Sequence, residues 1–279
     1  MKISADLTRR ILRHFALEKA QPDLRYLTAL LNAYVQTVPW ESASRIVRRA
    51  QVSKTEDCPR WPAEFWEGAL ERGLGGTCFE SNYAFMALLQ SLRFEGYLTI
   101  NDMHDYVGCH TAAVVEIDGV HWMADAGFPV LTPVQLDATQ RTEASSAWLH
   151  YTAQPEPDHS DGNATVFTLE RTPHPNPYCF TVHNTPIADA DYRAATLNDY
   201  GPNGLFLQEA NINKVVNGEL WRFSTRELPL HLQRFVNHER IDTPLEGDLD
   251  HAAQLIAQTF GMDESMLREA LGRVNIPQA

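Results

Sequence analysis

The sequence predicts an α+β protein in which helices come first, antiparallel strands follow, and a mixed segment ends the chain. Apolar residues recur with a helical period through roughly the first ninety residues, and runs of β-branched and aromatic residues dominate from Tyr97 to about residue 183. Both patterns occur after residue 188. Predicted strands that follow one another through tight turns favour an antiparallel sheet over alternating βαβ units.

Four helices are predicted in the N-terminal part of the chain. The first has apolar side chains at positions 7, 11, 12 and 15, which form one stripe of an amphipathic helix. The second opens at Pro22-Asp23 and ends near Val38, because Pro39 disfavours a helical conformation in the residue before it. The third covers about residues 63–72. The fourth follows Gly75-Gly76-Thr77, and its apolar face contains Phe79, Tyr83, Met86, Leu89 and Leu92.

The strand predictions centre on a hairpin. Residues 111–117 and 120–126 are rich in β-branched and apolar residues, and the Asp118-Gly119 pair between them is typical of a two-residue turn. A helix is predicted at 188–197, and a second hairpin turns at Asn217-Gly218. The remaining predicted elements are strands at 97–100, 147–153, 164–171 and 178–183 and helices at about 248–259 and 263–273.

The composition is that of a soluble globular protein, since 44% of the 279 residues are apolar and 21% are charged. The net charge of −13 argues against broad binding to nucleic acids or anionic membranes, because their phosphates are repelled. No window approaches the roughly 18 apolar residues of a membrane span, and the N-terminal residues lack the apolar core of a secretory signal. Because the chain has only four cysteines and no Cys-x-x-Cys pair, we expect free thiols and a cytoplasmic protein.

The most informative segment covers residues 73–89, GLGGTCFESNYAFMALL. It places Cys78 at the first position of the fourth predicted helix, where free backbone N–H groups and the helix dipole favour a thiolate. A phosphate-binding loop would need Gly-Lys-Ser/Thr where this chain has Gly-Thr-Cys, and a dinucleotide fingerprint would need a third glycine at Cys78. This context leaves two interpretations: Cys78 is a nucleophile with a lowered thiol pKa, or it is a buried structural cysteine.

A nucleophilic cysteine needs a base, and His110 is the best placed of the 11 histidines. It opens one strand of the first hairpin, and Asp125 ends the partner strand fifteen residues later. With a turn at Asp118-Gly119, the two side chains lie on a diagonal that an imidazole and a carboxylate can span. Two alternatives are a structural histidine and a zinc site with His104 and Cys109, but the latter lacks a second ligand pair with the usual spacing.

With these residues, the chain resembles the arylamine N-acetyltransferases, acetyl-CoA-dependent enzymes with a Cys-His-Asp triad. The family motif Arg-Gly-Gly-x-Cys-Phe-Glu corresponds to Leu74–Glu80, and Asp-Val-Gly-Phe-Gly corresponds to Asp125–Pro129. The family histidine opens a strand fifteen residues before the aspartate, as His110 does here. Upstream, Val38–Ser42 is similar to the family's Val/Ile-Pro-Phe-Glu-Asn. The resemblance covers about residues 5–135.

The resemblance implies three domains: an N-terminal helical bundle at 1–95 that carries the nucleophile, an antiparallel β-barrel at 96–187 that carries the histidine and aspartate, and a C-terminal α/β lid at 188–279. The implied site has the papain-like arrangement of cysteine proteases, with Cys78, His110 and Asp125 as the catalytic triad.

The resemblance also implies a ping-pong reaction, in which the thiolate takes an acyl group from coenzyme A and passes it to an amine. The expected co-substrates are acetyl-CoA or another acyl-CoA and an arylamine- or hydrazine-like acceptor, and neither a tightly bound cofactor nor a metal is expected. By the same resemblance, Phe128 lines the acceptor pocket and Gly127 approaches the phosphates of the coenzyme.

Three residues depart from the family motifs. Leu74 replaces an arginine that supports the neighbouring structure, and Arg72 or Arg45 could take its place. Pro129 replaces a glycine, which stiffens a turn and removes one N–H donor, and Trp40 replaces a phenylalanine. We therefore expect slow acetyl transfer to simple arylamines. The alternatives are an amide synthase of the polyketide type, a Cys-His-Asp hydrolase of the transglutaminase or papain-like class, and a binding module without turnover.

Overall fold

Five α-helices, a short 3-10 helix (Thr55–Asp57) and one short strand form the N-terminal part of the molecule. The computed structural model describes residues 2–128, 130–156, 165–202 and 204–276. Its first elements are α1 (Ala5–His14), α2 (Leu24–Thr37), β1 (Trp40–Glu41), α3 (Ala43–Gln51), α4 (Pro62–Arg72) and α5 (Cys78–Ser91). The Ser4 and Asp23 side chains cap α1 and α2 by accepting hydrogen bonds from backbone amides, and α4 ends at Gly73 in the left-handed conformation.

An eight-stranded antiparallel sheet follows and curves into a nearly closed barrel. Its strands are β2 (Glu95–Met103), β3 (Tyr106–Ile117), β4 (Val120–Ala124), β5 (Val134–Leu136), β6 (Thr142–Ser145), β7 (His150–Pro155), β8 (Thr165–Thr172) and β9 (Tyr178–Asn184). They lie in the order β5-β4-β3-β2-β9-β8-β7-β6. The two ends of the sheet meet where the Thr142 hydroxyl donates to the Gln135 carbonyl. The structure confirms the predicted hairpin turn, since Ile117 pairs with Val120.

The C-terminal part combines a second sheet with three helices. It contains α6 (Asp189–Asn198), β10 (Asn211–Val216), β11 (Glu219–Ser224), β12 (His231–Val236), β13 (Glu239–Pro244), α7 (Leu249–Phe260) and α8 (Glu264–Arg273). The sheet has the order β1-β10-β11-β12-β13, so β1 joins strands that lie far away in the sequence. The predicted turn at Asn217-Gly218 is confirmed, because Val216 pairs with Glu219.

Two hydrophobic cores hold these elements together. The larger core joins α1, α2, α4 and α5 to the barrel and includes Trp66, Phe85, Val114 and Phe180. The smaller core joins α3 to the second sheet, α7 and α8, and it includes Ala43, Leu74, Ile256 and Leu267. Burial of a large apolar side chain stabilises the fold by roughly 1.5–3 kcal/mol, so each core contributes to folding through many such residues.

Several elements were not predicted from the sequence. Helix α3 contains three arginines, and its apolar side is buried in the smaller core against elements that lie far away in the sequence. Strands β12 and β13 were also not predicted. Strand β13 consists of exposed residues and pairs along one edge only, so it lacks the apolar alternation on which the strand predictions rest. The predicted division at residues 95 and 187 stays a prediction. In the structure, β1 and α3 pack with elements that follow residue 210.

Two further features of the described ranges concern membranes and metals. No helix among these residues is both long and apolar enough to cross a bilayer. Within the same ranges, no group of three or more His, Cys, Asp or Glu side chains is arranged to hold a metal ion. All four cysteines are free thiols.

Candidate active site

The nucleophile loop, residues 73–77, lies directly against β1. A Cβ atom on Gly75 would overlap the Pro39 carbonyl, and the Gly75 amide donates to the Glu41 carboxylate at 3.1 Å. The Gly76 carbonyl in turn accepts from the Glu41 amide at 3.2 Å. Because only glycine permits this close approach, the loop has a defined path, and it delivers Cys78 to the first position of α5.

The Cys78 side chain and backbone contact the two residues that flank His110 in β3. The Cys78 thiol lies 3.6 Å from the Cys109 carbonyl oxygen, and the Cys78 carbonyl accepts from the Thr111 hydroxyl at 3.0 Å. Cys78 is buried, with 7% of its surface exposed. The structure therefore brings the predicted nucleophile next to the predicted base. His110 lies within β3 and does not open it as predicted, because the strand already begins at Tyr106.

His110 and Asp125 form a buried contact. His110 Nε2 lies 2.6 Å from Asp125 Oδ2, and the exposed fractions of the two side chains are 2% and 0%. The register of the hairpin produces this contact, because Ala113 pairs with Ala124 and Asp125 follows directly. With Nε2 directed at Asp125, Nδ1 is the ring nitrogen left for a proton exchange with a thiol.

A set of hydrogen bonds holds the Asp125 carboxylate in place. Its second oxygen, Oδ1, accepts from Asn82 Nδ2 at 2.9 Å, from the Gly127 amide at 2.7 Å and from the Phe128 amide at 3.0 Å. The Asn82 side-chain oxygen accepts from the Ala126 amide. Sequence reasoning missed Asn82, although it lies one helical turn after Cys78 on α5, a spacing that places both side chains on one face.

Gly127 lies against Cys78, and Phe128 packs against His110. A Cβ atom on Gly127 would come within 2.5 Å of Cys78 Cα, so the glycine is required by its contact with the nucleophile. The Phe128 ring packs edge-on against His110 and against Phe180, with centroid distances of 5.8 and 5.5 Å. The Arg171 guanidinium lies 4.8 Å above the same ring. The His110 imidazole is therefore packed against the Phe128 and Phe180 rings, and the Arg171 guanidinium lies over the Phe128 ring.

Burial raises the pKa of the Cys78 thiol well above its usual value, and the carboxylates of Asp199 and Asp125 raise it further. The Arg45 guanidinium acts in the opposite direction. The sequence predicted a lowered pKa, and it could not show this burial or the approach of Asp199. A thiolate at this position needs a neighbouring group that carries the proton, and His110 is the candidate for this role.

Arg45 supplies a charged support beneath the nucleophile loop. Its guanidinium is fully buried and donates to the Thr77 hydroxyl at 2.7 Å. It also forms an ion pair with Asp199 at 2.7 Å and lies 4.5 Å above the Tyr200 ring. Arg45 thus connects α3, the residue before Cys78 and the end of α6.

The departures from the family motifs have different structural settings. Leu74 is buried in the smaller core, while Arg45 holds the loop instead, and Arg72 pairs with Asp263 near the surface. Trp40 is half-buried and packs edge-on against Phe206 with a centroid distance of 5.2 Å. The predicted effect of Pro129 lies outside the described residues.

The alternative zinc site with His104, Cys109 and His110 is not formed among the described residues. His104 packs against Tyr178 with a centroid distance of 4.5 Å, and its backbone amide donates to the Tyr178 hydroxyl. Cys109 is half-buried, and its carbonyl faces the Cys78 thiol. Within the part of the chain that the structure describes, these residues and His110 do not form a metal-binding group.

Several solved structures with this fold are arylamine N-acetyltransferases. An arylamine N-acetyltransferase from Mycobacterium abscessus has a TM-score of 0.75 and 18% identity, with 98% of this chain and 99% of that chain covered. The Salmonella typhimurium arylamine N-acetyltransferase has a TM-score of 0.76 and 16% identity, with coverages of 98% and 99%. The Mycobacterium marinum enzyme in complex with CoA has a TM-score of 0.76 and 15% identity, with coverages of 96% and 100%. No curated protein matches the sequence.

The fold is therefore that of the arylamine N-acetyltransferases, with a helical N-terminal part, an antiparallel barrel and a mixed C-terminal part. The model of the N-acetyltransferase family matches residues 23–262, and the chain belongs to this family. The protein is an enzyme, an acyltransferase of the arylamine N-acetyltransferase type.

Proposed function

We propose that the enzyme moves an acyl group from acyl-CoA to an amine through a thioester on Cys78. His110 carries the proton, and Asp125 orients the imidazole and stabilises its charged form. The observation that supports these roles is the buried His110–Asp125 contact of 2.6 Å next to the first residue of α5. The proposed donor has support from a relative of the same fold, the Mycobacterium marinum enzyme, which was solved in complex with CoA.

The first step forms the acyl-enzyme. The Cys78 sulfur gives its proton to His110 Nδ1 and attacks the thioester carbonyl. A carbon–sulfur bond forms to Cys78, the bond to the coenzyme sulfur breaks, and the proton passes from His110 to the leaving thiolate. The unpaired N–H groups at the start of α5 favour the negative charge that develops at the carbonyl oxygen.

The second step transfers the acyl group to the acceptor. The amine nitrogen attacks the Cys78 thioester, its proton passes to His110, and a carbon–nitrogen bond replaces the carbon–sulfur bond. The proton then returns to the Cys78 sulfur, which restores the free enzyme. We assign Phe128 to the acceptor pocket, because its ring packs against the His110 imidazole. We assign Gly127 to the side on which the coenzyme approaches, since it lies against Cys78.

Mass spectrometry after incubation with a panel of acyl-CoA thioesters tests this proposal. We expect one acyl group on Cys78 that neutral hydroxylamine removes, and no such adduct in the Cys78→Ser variant. Addition of 4-aminobenzoate or a hydrazine should discharge the acyl-enzyme with formation of the amide. The proposal is wrong if no thioester acylates Cys78. Discharge to the free acid at the same rate with and without amine would instead indicate a hydrolase.

The acceptor assay also tests the expectation of an unusual substrate. We expect slow or absent acetyl transfer to 4-aminobenzoate and to simple hydrazines, since Leu74 and Pro129 depart from the motifs that flank the site. Turnover of about ten or more per second, which is ordinary for enzymes, would contradict this expectation. An amide synthase acting within one substrate would show acylation of Cys78 but no transfer to added amines.

A further inference from the structure

A polar groove separate from the candidate active site runs between the N-terminal helices and the second sheet. One part has a volume of about 530 Å³ and lies between α1, α2, α4 and the α7–α8 junction. A second part of about 500 Å³ lies between α2, α7 and the strands β10 and β11. Gln36, Lys214 and Gly261 line both parts. The groove is thus one feature with Lys214 at its middle.

Lys214 differs from the other lysines of the chain. It is half-buried on β10, and its Nζ donates to the Phe260 carbonyl at the end of α7 at 2.7 Å. The three other lysines, Lys2, Lys19 and Lys54, are exposed. Among the described residues, no carboxylate lies within ion-pair distance of Lys214 Nζ. The contact found for this amine there is the hydrogen bond to the Phe260 carbonyl.

The charged and titratable groups that line the groove are few. Helix α1 contributes His14, helix α4 contributes Glu71 and Arg72, and Asp263 precedes α8. Arg72 and Asp263 pair with each other at 2.8 Å, and Glu71 pairs with Arg10 at 3.1 Å. Helices α2 and α7 contribute uncharged side chains. Lys214 therefore lines an open groove in which the two lining carboxylates, Glu71 and Asp263, already pair with arginines.

We propose that Lys214 is a site of acylation by acyl thioesters, which enter the groove and react with its amine without the participation of Cys78. The neutral amine attacks the thioester carbonyl, a carbon–nitrogen bond forms, and the carbon–sulfur bond of the thioester breaks. The amine proton is lost to solvent, and the leaving thiolate takes up a proton from solvent. The products are an amide on Lys214 and a free thiol, and no oxidant or further reactant is needed.

The chemical state of the amine supports this reaction. Burial lowers the pKa of Lys214 to about 8, so close to half of the amine is neutral near pH 8. An exposed lysine with a pKa of about 10.4 is neutral in less than about 1% of molecules at that pH. After allowance for the weaker nucleophilicity of a less basic amine, we expect an advantage of about tenfold for Lys214 over the exposed lysines.

Site-resolved acetylation kinetics on the full chain test the proposal. The Cys78→Ser variant is incubated at pH 8 with acetyl-CoA and, separately, with the small thioester S-acetyl-N-acetylcysteamine. Peptide mass spectrometry then follows the acetylated fraction of all four lysines after treatment with neutral hydroxylamine, which removes thioesters but leaves amides. Lys214 should be acetylated about tenfold faster than any other lysine, and its rate should level off above pH 8 while the other three rates continue to rise.

Rates at Lys214 equal to or below those of the exposed lysines would overturn the proposal, as would a rate that rises tenfold per pH unit up to pH 10. In urea, the faster acetylation of Lys214 should disappear. If it persists in the unfolded chain, the local sequence causes it, and the proposed role of the groove is wrong. A Lys214→Arg variant should leave the three other rates unchanged. Because Cys78 is absent, failure here is distinguishable from failure of the proposed active-site function.

Discussion

At the scale of single residues, the orientation of the His110 ring is the feature that most directly defines the chemistry. The Asp125 carboxylate is fully buried, and three donors hold its Oδ1 atom, which leaves Oδ2 for His110 Nε2. A ring held in this way presents Nδ1 to its surroundings. The hydrogen bonds of Asn82 position the carboxylate, so Asn82 is a positioning residue for the imidazole.

The Asp125→Asn variant should lose acyl-enzyme formation by about a thousandfold or more while it remains folded. The amide oxygen can still accept from Asn82 and Gly127, but the amide NH₂ group then faces Nε2 and favours the tautomer that has its proton on Nδ1. Stopped-flow measurement of coenzyme A release checks this expectation. Near-normal turnover in this variant would remove Asp125 from the proposed triad, and unchanged thermal unfolding serves as the control for folding.

The His110→Gln variant should shift the pH dependence of Cys78 alkylation. Burial and the nearby carboxylates raise the pKa of the thiol, so without His110 the thiolate is present only at high pH. We expect iodoacetamide alkylation near pH 7 to fall by about a hundredfold and to recover as the pH rises above 9. Cys58 and Cys179 provide internal references in the same chain. An unchanged alkylation profile would show that His110 does not take the thiol proton.

At the scale of elements, the site depends on how α3, β1 and α6 hold the start of α5. The nucleophile loop lies against β1, and Arg45 of α3 bridges Thr77 and Asp199. The Tyr192 hydroxyl of α6 also donates to the Phe79 carbonyl at 2.8 Å. Elements from both ends of the sequence therefore fix the position of Cys78.

The Arg45→Gln variant should lower the free energy of unfolding by about 3 kcal/mol, because it leaves the Asp199 carboxylate buried without its partner. The matched control is Arg72→Gln, which breaks the more exposed pair with Asp263 and should cost less than about 1 kcal/mol. Urea denaturation of the two variants gives the comparison. Equal losses in both would contradict a supporting role for Arg45.

Gly127→Ala should impair both stability and acyl transfer, because the new methyl group would come within 2.5 Å of Cys78 Cα and would overlap the Asn82 amide. Overpacking of this kind costs about 1–3 kcal/mol. Gly272→Ala is the control, since its Cβ meets nothing within 4 Å inside α8 and should stabilise the helix slightly. If Gly127→Ala unfolds and acylates like the parent protein, the close contact is not required.

At the scale of the whole molecule, elements that are far apart in the sequence pack together in the fold. β1 and α3 come from the first fifty or so residues, yet they pair with β10 and pack against α8. The predicted lid at 188–279 thus shares a sheet and a core with the N-terminal part. The division into three domains stays a prediction, and because of these contacts we expect the folding of the two parts to be coupled.

A fragment that contains residues 1–187 should therefore fail to unfold cooperatively. It lacks the Asp199 partner of Arg45, the Tyr192 hydroxyl bound to Phe79, and the strand that pairs with β1. Circular dichroism during heating checks this expectation, and addition of residues 188–279 as a second fragment should restore a transition. A fragment with a cooperative transition close to that of the full chain would show that the division at residue 187 separates independent folding units.

The features that depend on local spacing could be predicted from the sequence. Helical periods predicted α1, α2, α4 and α5, and the Asp118-Gly119 turn set the register that brings His110 to Asp125. The glycines before Cys78 predicted a loop that enters a helix. These inferences succeeded because each rests on residues within one element or on two strands joined by a two-residue turn, where chain geometry leaves few alternatives.

The features that depend on partners far apart in the chain became visible in the three-dimensional structure. It placed α3 on α8, gave Arg45 the Asp199 carboxylate more than 150 positions away, and reversed the expected direction of the Cys78 pKa. It also placed Lys214 in an open groove formed by elements from the N-terminal and C-terminal parts of the chain. Burial and electrostatic interactions depend on all residues that are near in space. The spacing of residues along the chain does not show which residues these are.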